Sequence, residues 1–227
     1  MELNNIVPWG RSFKEYQAMF SLSAEDLGSR ILGCGDGPAS FNAELTKVGG
    51  SIVSLDPIYQ FSREQIHSRI DRIYPEVLSQ VAKNRDDFIW DSIANVDELG
   101  RVQMQAMESF LNDYEQGKMS GRYKEGQLPV LPFNNAEFDL ALCSHYLFLY
   151  SNHVDQAQHF ESIKELCRVA HEVRIYPLLA LDGKKSKHLE SVINLLKTNG
   201  LDVSLQAVNY QFQKGATEML VIKNVHS

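Results

Sequence analysis

The sequence has few cysteines, no long basic run and no long apolar run. Cys34, Cys143 and Cys167 are widely spaced, form no CxxC pair and have no histidine at metal-ligand spacing. No stretch approaches the roughly 18–20 apolar residues that a membrane span requires. Residues 1–5 lack the basic and apolar regions of a signal peptide. These absences predict a reduced, cytoplasmic protein with no metal site and no membrane partner.

Positive charge is also scarce. The 227 residues include 22 Lys and Arg against 29 Asp and Glu, so the formal net charge is −7. The only basic cluster, Lys184-Lys185-Ser186-Lys187, is short enough to be a solvated loop. An acidic chain without a basic stripe is a poor ligand for a phosphate backbone, so we expect no nucleic-acid partner. The hydrophobic share of 44% predicts one soluble globular domain over residues 1–227.

Helix and strand patterns alternate along the chain, which is typical of an α/β sheet. Residues 29–32 and 51–55 are apolar enough for buried strands, and residues 39–48 between them have helical periodicity. The sequence therefore predicts a compact strand, glycine loop, helix, strand unit. It is preceded by an N-terminal segment, residues 1–28.

About sixty residues, 61–121, separate this unit from the next strand, far more than a simple crossover needs. Their apolar spacing predicts two helices joined around residues 86–97, and Pro75 is expected to end or kink the first or start a new one. Two interpretations of this helical insertion after strand 2 stay open. It either thickens the core or forms a lid that shapes a substrate pocket.

The remaining pattern completes a mostly parallel seven-stranded sheet. Strands are predicted at residues 122–126, 138–143 and 171–176, helices at 152–168 and 187–199, and a closing antiparallel hairpin at 203–210 and 218–223. Gly200 is placed to end the last helix. A terminal hairpin differs from another parallel unit and so distinguishes this sheet from a dinucleotide-binding one.

The strongest chemical motif is the loop that follows the first strand, Gly33-Cys34-Gly35-Asp36-Gly37. A glycine-rich turn between a strand and a helix lets the backbone approach a ligand closely. Asp56 follows at the end of the next strand, where a carboxylate can accept both hydroxyls of a ribose. This order of elements predicts a ligand that contains adenosine.

The spacing favours one such ligand over another. A dinucleotide fingerprint is GxGxxG, whereas Gly33, Gly35 and Gly37 form GxGxG. Asp36 in the loop would repel a pyrophosphate, but it suits a ligand with an ammonium group. The residues therefore favour S-adenosylmethionine over NAD.

These motifs resemble those of the class I S-adenosylmethionine-dependent methyltransferases. The glycine loop is similar to their first motif and Leu55-Asp56-Pro57 to their ribose-binding strand end, while residues 131–140 resemble the segment that enters their fourth strand. The resemblance covers residues 28–150 and extends by pattern to the C-terminus. The chain is most similar to a bacterial group without an assigned substrate. Ile31 departs from the family, which usually has an acid two residues before the first glycine.

The resemblance implies a Rossmann-like methyltransferase fold, an N-terminal segment, residues 1–28, that covers the cofactor site, and a set of residues that hold the cofactor. Arg11 is expected to pair with the methionine carboxylate, with an exposed arginine on a docking helix as the alternative. Gln127 is expected at the adenine edge. The full set of cofactor-binding residues comprises Arg11, Gly33, Cys34, Gly35, Asp36, Gly37, Asp56, Pro57, Gly126, Gln127, Leu128 and Ser144.

A methyl on a sulfonium needs mainly an aligned nucleophile and a dry pocket. His145, just after the fourth strand, is the candidate catalytic base, and a packing or cofactor contact is its alternative role. The predicted function is methyl transfer to a small-molecule or protein acceptor. Two other functions stay open: a non-enzymatic S-adenosylmethionine-binding protein and an NAD(P)-dependent oxidoreductase. The sequence leaves the oligomeric state undetermined.

Overall fold

A computed structural model describes residues 7–224, which form seven α-helices, three short 3-10 helices (Pro57–Gln60, Arg85–Asp87 and Phe148–Tyr150) and seven strands. The helices are α1 Phe13–Met19, α2 Ala24–Gly28, α3 Phe41–Lys47, α4 Arg63–Lys83, α5 Val96–Met119, α6 Gln156–Val169 and α7 Leu189–Thr198. The strands are β1 Arg30–Cys34, β2 Ser51–Leu55, β3 Tyr123–Lys124, β4 Phe138–Ser144, β5 Ala170–Tyr176, β6 Leu201–Ala207 and β7 Glu218–Asn224. The expectation of no signal peptide in residues 1–5 falls outside the described part of the chain.

All seven strands belong to one sheet with the order β3-β2-β1-β4-β5-β7-β6. The first five strands are parallel to their neighbours, and β7 runs antiparallel to both β5 and β6. The predicted mostly parallel sheet with a C-terminal antiparallel hairpin is therefore confirmed. Since β1, β2, β3 and β4 point the same way, the segments that follow them meet at one edge of the sheet.

The central strands bury side chains on both faces of the sheet. Leu32 and Cys143 belong to one core cluster, whereas Ile31 and Leu142 belong to the cluster on the opposite face. This division follows from the period of two along a strand and explains why β1 and β4 are nearly continuous apolar runs. The parallel centre of the sheet is thus covered on both sides.

The insertion between β2 and β3 consists of α4 and α5, as the apolar spacing predicted. Of the outcomes expected at Pro75, an end of the first helix and the start of a new one are wrong, because α4 continues through that residue. Because proline has no backbone N–H, the carbonyl of Asp71 lacks its usual helical donor. Pro75 and Asp71 are both exposed, so water can donate to that carbonyl instead. The hydroxyl of Tyr114 donates to the carbonyls of Tyr59 and Phe61, each at 2.9 Å, and ties α5 to the chain after β2.

The N-terminal segment crosses the glycine loop before it enters α1. Gly10 is buried there, and a Cβ at this position would overlap the carbonyl oxygen of Pro38. Ser12 and Glu15 form a capping box that starts α1. Nowhere in residues 7–224 is a helix both long enough and apolar enough to cross a membrane.

Candidate functional site

The glycine loop leaves β1 in a conformation that requires glycine at two positions. Gly35 and Gly37 have φ values of +74° and +53°, in the left-handed region that favours glycine. Gly33 is needed for a different reason, because a Cβ there would overlap the carboxylate of Asp36. The motif therefore folds the loop back on β1 and aims the loop backbone at the edge of the sheet.

Asp36 is buried beneath the loop and accepts two hydroxyl hydrogen bonds. Tyr16 donates to Oδ1 at 2.8 Å and Ser54 donates to Oδ2 at 2.6 Å. Burial raises the pKa of Asp36 to about 6 against the effect of these two donors, and the charge of Asp56 adds to the rise. The carboxyl thus titrates near neutral pH, unlike an exposed aspartate.

Asp56 directly follows β2 and faces the glycine loop. Its Oδ2 accepts from the backbone N–H of Gly37 at 3.0 Å, and its Oδ1 accepts from that of Ile58 at 2.8 Å. Burial raises its pKa, although both hydrogen bonds and the positive charge of Arg69 oppose the shift. Since an ionised carboxylate has about four acceptor sites, Asp56 keeps lone pairs for further donors.

A third segment, residues 126–128, reaches the same edge after β3. Gly126 passes so close to Leu55 at the end of β2 that an added Cβ would lie 2.8 Å from its side chain. Leu128 is buried in the core cluster, whereas Gln127 is exposed. This arrangement leaves the amide of Gln127 available at the edge.

Ser144 ends β4 and His145 follows it with φ +51°. The backbone N–H of His145 donates to the carbonyl of Tyr176 at 2.8 Å, which holds the turn against β5. Ser144 Oγ lies 2.9 Å from His145 Nδ1. Burial holds the pKa of His145 well below its usual range, and the positive charge of Arg11 lowers it further. The imidazole is therefore neutral at pH 7.

These segments surround a cavity of about 420 Å³. Gly33 does not line it, because it lies within β1 under the Asp36 carboxylate. The other predicted site residues all line it: Arg11, Cys34, Gly35, Asp36, Gly37, Asp56, Pro57, Gly126, Gln127, Leu128, Ser144 and His145. The fold thus brings four separate stretches of sequence, and Arg11 from the N-terminal segment, to one space of ordinary ligand size.

Sequence reasoning missed much of the opposite side of this cavity. The insertion contributes Phe61, Arg69, Val77, Val81, Phe88 and Leu99, and the C-terminal third contributes Leu181 and Phe212. A smaller adjoining cavity of about 80 Å³ shares Arg11, His145 and Phe212 with the first. Val77 lies eight residues after Arg69 and Val81 four residues after Val77, a spacing that is a signal for one helix face, although it does not tell which surface that face meets.

Glu15 connects the three chain segments that cover the cavity. Besides its capping contacts with Ser12, it accepts from Arg11 at 3.3 Å, from Gln103 on α5 at 2.9 Å and from the hydroxyl of Tyr210 at 2.8 Å. Although burial opposes the shift, the charge of Arg11 and the hydrogen bonds lower the pKa of Glu15. Arg11 therefore lies at the cavity with its charge already balanced. Among residues 7–224, no group of three His, Cys, Asp or Glu side chains is placed to hold a metal ion.

No protein-family model matches the chain. The uncharacterized protein MJ0045 of Methanocaldococcus jannaschii is 32% identical to it over 226 residues, and the alignment covers 98% of each chain. This relative comes from an archaeon, so it gives no support to the bacterial group that the motifs suggested.

Solved structures of methyltransferases have a similar fold. The mitomycin 7-O-methyltransferase MmcR superposes with a TM-score of 0.50 and 13% identity, covering 93% of this chain and 53% of its own. The magnesium protoporphyrin IX methyltransferase ChlM from Synechocystis PCC 6803, solved with bound SAH, has a TM-score of 0.48 and 13% identity, covering 93% of this chain and 82% of its own. At such identities a likeness speaks for the fold alone.

Proposed function

Since the chain belongs to the same family as the uncharacterized protein MJ0045 and has the class I methyltransferase fold, we propose that it transfers a methyl group from S-adenosylmethionine to a small-molecule or protein acceptor. The observation that carries this proposal is the cavity at the carboxyl edge of the sheet. The glycine loop, Asp56, Gln127 and Ser144 line it together, although they are far apart in the sequence.

The charges around the cavity suit this cofactor. Asp36 and Asp56 both face the space, so a ligand with a sulfonium and an ammonium group is attracted. A pyrophosphate would be repelled by the same two carboxylates, which disfavours NAD(P). Within residues 7–224, the basic side chains that line the space are Arg11 and Arg69, and Arg11 is already paired with Glu15.

Four of the predicted residues then have a chemical role in holding the cofactor. Asp56 accepts hydrogen bonds from the two ribose hydroxyls with the lone pairs that Gly37 and Ile58 leave free. Gln127 donates to or accepts from the adenine edge. Asp36 offers its negative charge to the methionine ammonium, and Arg11 offers a donor to the carboxylate.

S-adenosylmethionine supplies a methyl carbon that an acceptor lone pair attacks, while the carbon–sulfur bond breaks and its electron pair stays on sulfur. The acceptor proton leaves to water or to His145. His145 accepts it at Nε2 when Nδ1 carries the hydrogen and donates to Ser144 Oγ, 2.9 Å away. Because its pKa is low, His145 orients an acceptor more effectively than it removes a tightly held proton.

Calorimetry with S-adenosylhomocysteine and NADH tests this proposal. We expect the wild-type protein to bind S-adenosylhomocysteine in the micromolar range or tighter and NADH at least about a hundredfold more weakly. Tight binding of NADH without binding of S-adenosylhomocysteine would instead support an NAD(P)-dependent oxidoreductase. Tight binding of S-adenosylhomocysteine without methyl transfer to any of a broad set of acceptors would support the non-enzymatic alternative.

A further inference from the structure

Arg69 on α4 faces the cavity with part of its guanidinium group unpaired. Its Nε is buried and has no hydrogen-bond partner, and Arg69 makes no ion pair among residues 7–224. A buried donor left unpaired costs about 1–3 kcal/mol, and more when the group is charged. Such groups are rare in folded proteins, and a water, an ion or a ligand at the cavity completes their hydrogen bonds.

Arg69 and Arg11, the two arginines that line the cavity, have different electrostatic surroundings. Arg11 has its partner in Glu15, whereas Arg69 acts electrostatically on Asp56, because its positive charge works to lower the pKa of that carboxyl. One carboxylate therefore attracts Arg69 weakly without forming an ion pair with it. The guanidinium keeps its planar set of donors for an incoming anion.

The cavity beyond Arg69 is apolar. Val77 and Val81 continue the same face of α4, and they share one apolar cluster at the cavity lining with Leu99, Phe88 and Phe212. Phe88 and Phe212 stack with ring centroids 4.9 Å apart. None of these side chains offers a hydrogen bond, so this part of the cavity favours a hydrocarbon or aromatic skeleton.

We propose that the methyl acceptor is a small organic carboxylate, with its carboxylate on Arg69 and its apolar skeleton against Val77, Val81 and Phe212. The inference rests on the proposed function, since it assigns the acceptor part of the same cavity. A planar carboxylate matches the fork of one guanidinium, whereas a doubly charged phosphate next to Asp56 would need further cations. The small molecule is therefore favoured over a protein side chain.

The test uses wild-type protein saturated with S-adenosylhomocysteine and three acceptor-like carboxylates, 4-phenylbutanoate, 2-naphthoate and decanoate. Each is compared with its own amide by calorimetry. We expect at least one carboxylate to bind about tenfold or more tightly than its amide. Arg69→Met should reduce that preference to less than about twofold, and Arg69→Lys should retain part of it. Arg72→Met, an exposed residue on the same helix, is the matched control and should keep the preference.

Two results would overturn the inference while leaving the proposed function intact. One is wild-type protein that binds S-adenosylhomocysteine but none of the carboxylates, or binds them no better than their amides. The other is an Arg69→Met variant that weakens S-adenosylhomocysteine about tenfold or more, because Arg69 would then belong to the cofactor. If the wild-type protein fails to bind S-adenosylhomocysteine at all, the proposed function itself is wrong.

Discussion

The cavity has two sides that differ in chemistry and in what holds them in place. The strand-edge wall consists of the glycine loop, Asp56, residues 126–128, Ser144 and His145, and it is polar. The cover consists of residues 7–11, the insertion, and the loops around Leu181 and Phe212, and it is mostly apolar. The ends of parallel strands fix the wall, whereas side-chain contacts such as those of Glu15 hold the cover.

We expect the two sides to have different tasks: the wall binds the cofactor, and the cover selects the acceptor. Under the proposed function, the wall would offer its donors and acceptors to the adenosine part of the cofactor, because backbone and strand ends position them. The cover decides the shape and polarity of the space that remains. Changes in the wall are therefore expected to alter cofactor affinity, and changes in the cover to alter stability and acceptor choice.

The largest effect is expected at Glu15, where the cover is tied together. Glu15→Ala leaves Arg11 buried without its partner and removes the hydrogen bonds to Gln103 and Tyr210. Breaking a buried ion pair in this way costs about 3–5 kcal/mol, measured as the free energy of unfolding in urea. Glu25→Ala, at an exposed position, is the control and should change it by less than about 0.5 kcal/mol. Equal losses in the two variants would contradict the role given to Glu15.

The next effect concerns the wall. Asp56→Ala removes the proposed ribose acceptor, and two hydrogen bonds to a charged group imply at least about a hundredfold weaker binding of S-adenosylhomocysteine. Asp56→Asn keeps the size of the side chain and one acceptor oxygen, which can serve only one of the two backbone N–H groups, that of Gly37 or that of Ile58, so its free energy of unfolding measures how far the loop depends on the carboxylate. Unchanged affinity in the alanine variant, measured by calorimetry, would reject the ribose assignment.

The contact between the two sides is tested at Gly10. An alanine there overlaps the carbonyl oxygen of Pro38, a backbone atom that cannot turn away, so we expect a loss of about 1–3 kcal/mol in the free energy of unfolding. Gly28→Ala meets no atom within 4 Å and should be neutral or slightly stabilising. If both variants behaved alike, the close approach of the N-terminal segment to the loop would be wrong.

The smallest effect is a pH dependence that belongs to Asp36. Its pKa of about 6 in the folded protein lies above the unfolded value, so folding favours the protonated form, and that stability is lost as the pH rises through 6. Between pH 5 and pH 8, wild-type protein should lose about 1 kcal/mol relative to Asp36→Asn. Urea unfolding at both pH values measures the difference. A gap between wild type and variant that is the same at pH 5 and pH 8 would contradict the burial of this carboxyl.

The residues of the strand-edge wall could be predicted because each belongs to a short motif in the sequence. The glycine spacing at 33, 35 and 37 and the acid after β2 are set by turn geometry and by the end of a buried strand, both of which leave a short-range pattern. Their assignment as a cofactor site stays a prediction. The continuation of α4 through Pro75 was missed because exposure of that turn depends on what packs on the helix.

For the cover, the sequence predicted the secondary-structure elements but not the contacts that they make. Apolar spacing gave the two helices of the insertion and left their role open between core and lid, since an amphipathic face does not state its partner. Neither Glu15 nor Arg69 carries a sequence signal for its environment. The local sequence around Glu15 fits the pattern of a capping box with Ser12. Only the packing of the chain brings Gln103 and Tyr210 to its carboxylate.

The amino-acid sequence by itself determined the sheet, the glycine loop and the position of Asp56 after β2, because period, turn and strand-end chemistry act over a few residues. Tertiary structure alone decided that α4, the N-terminal segment and the loop at Phe212 close over that edge, and that Arg69 lines the cavity with its Nε unpaired among residues 7–224. Contacts between residues that are far apart in the sequence arise from the burial of whole surfaces, which no local pattern encodes.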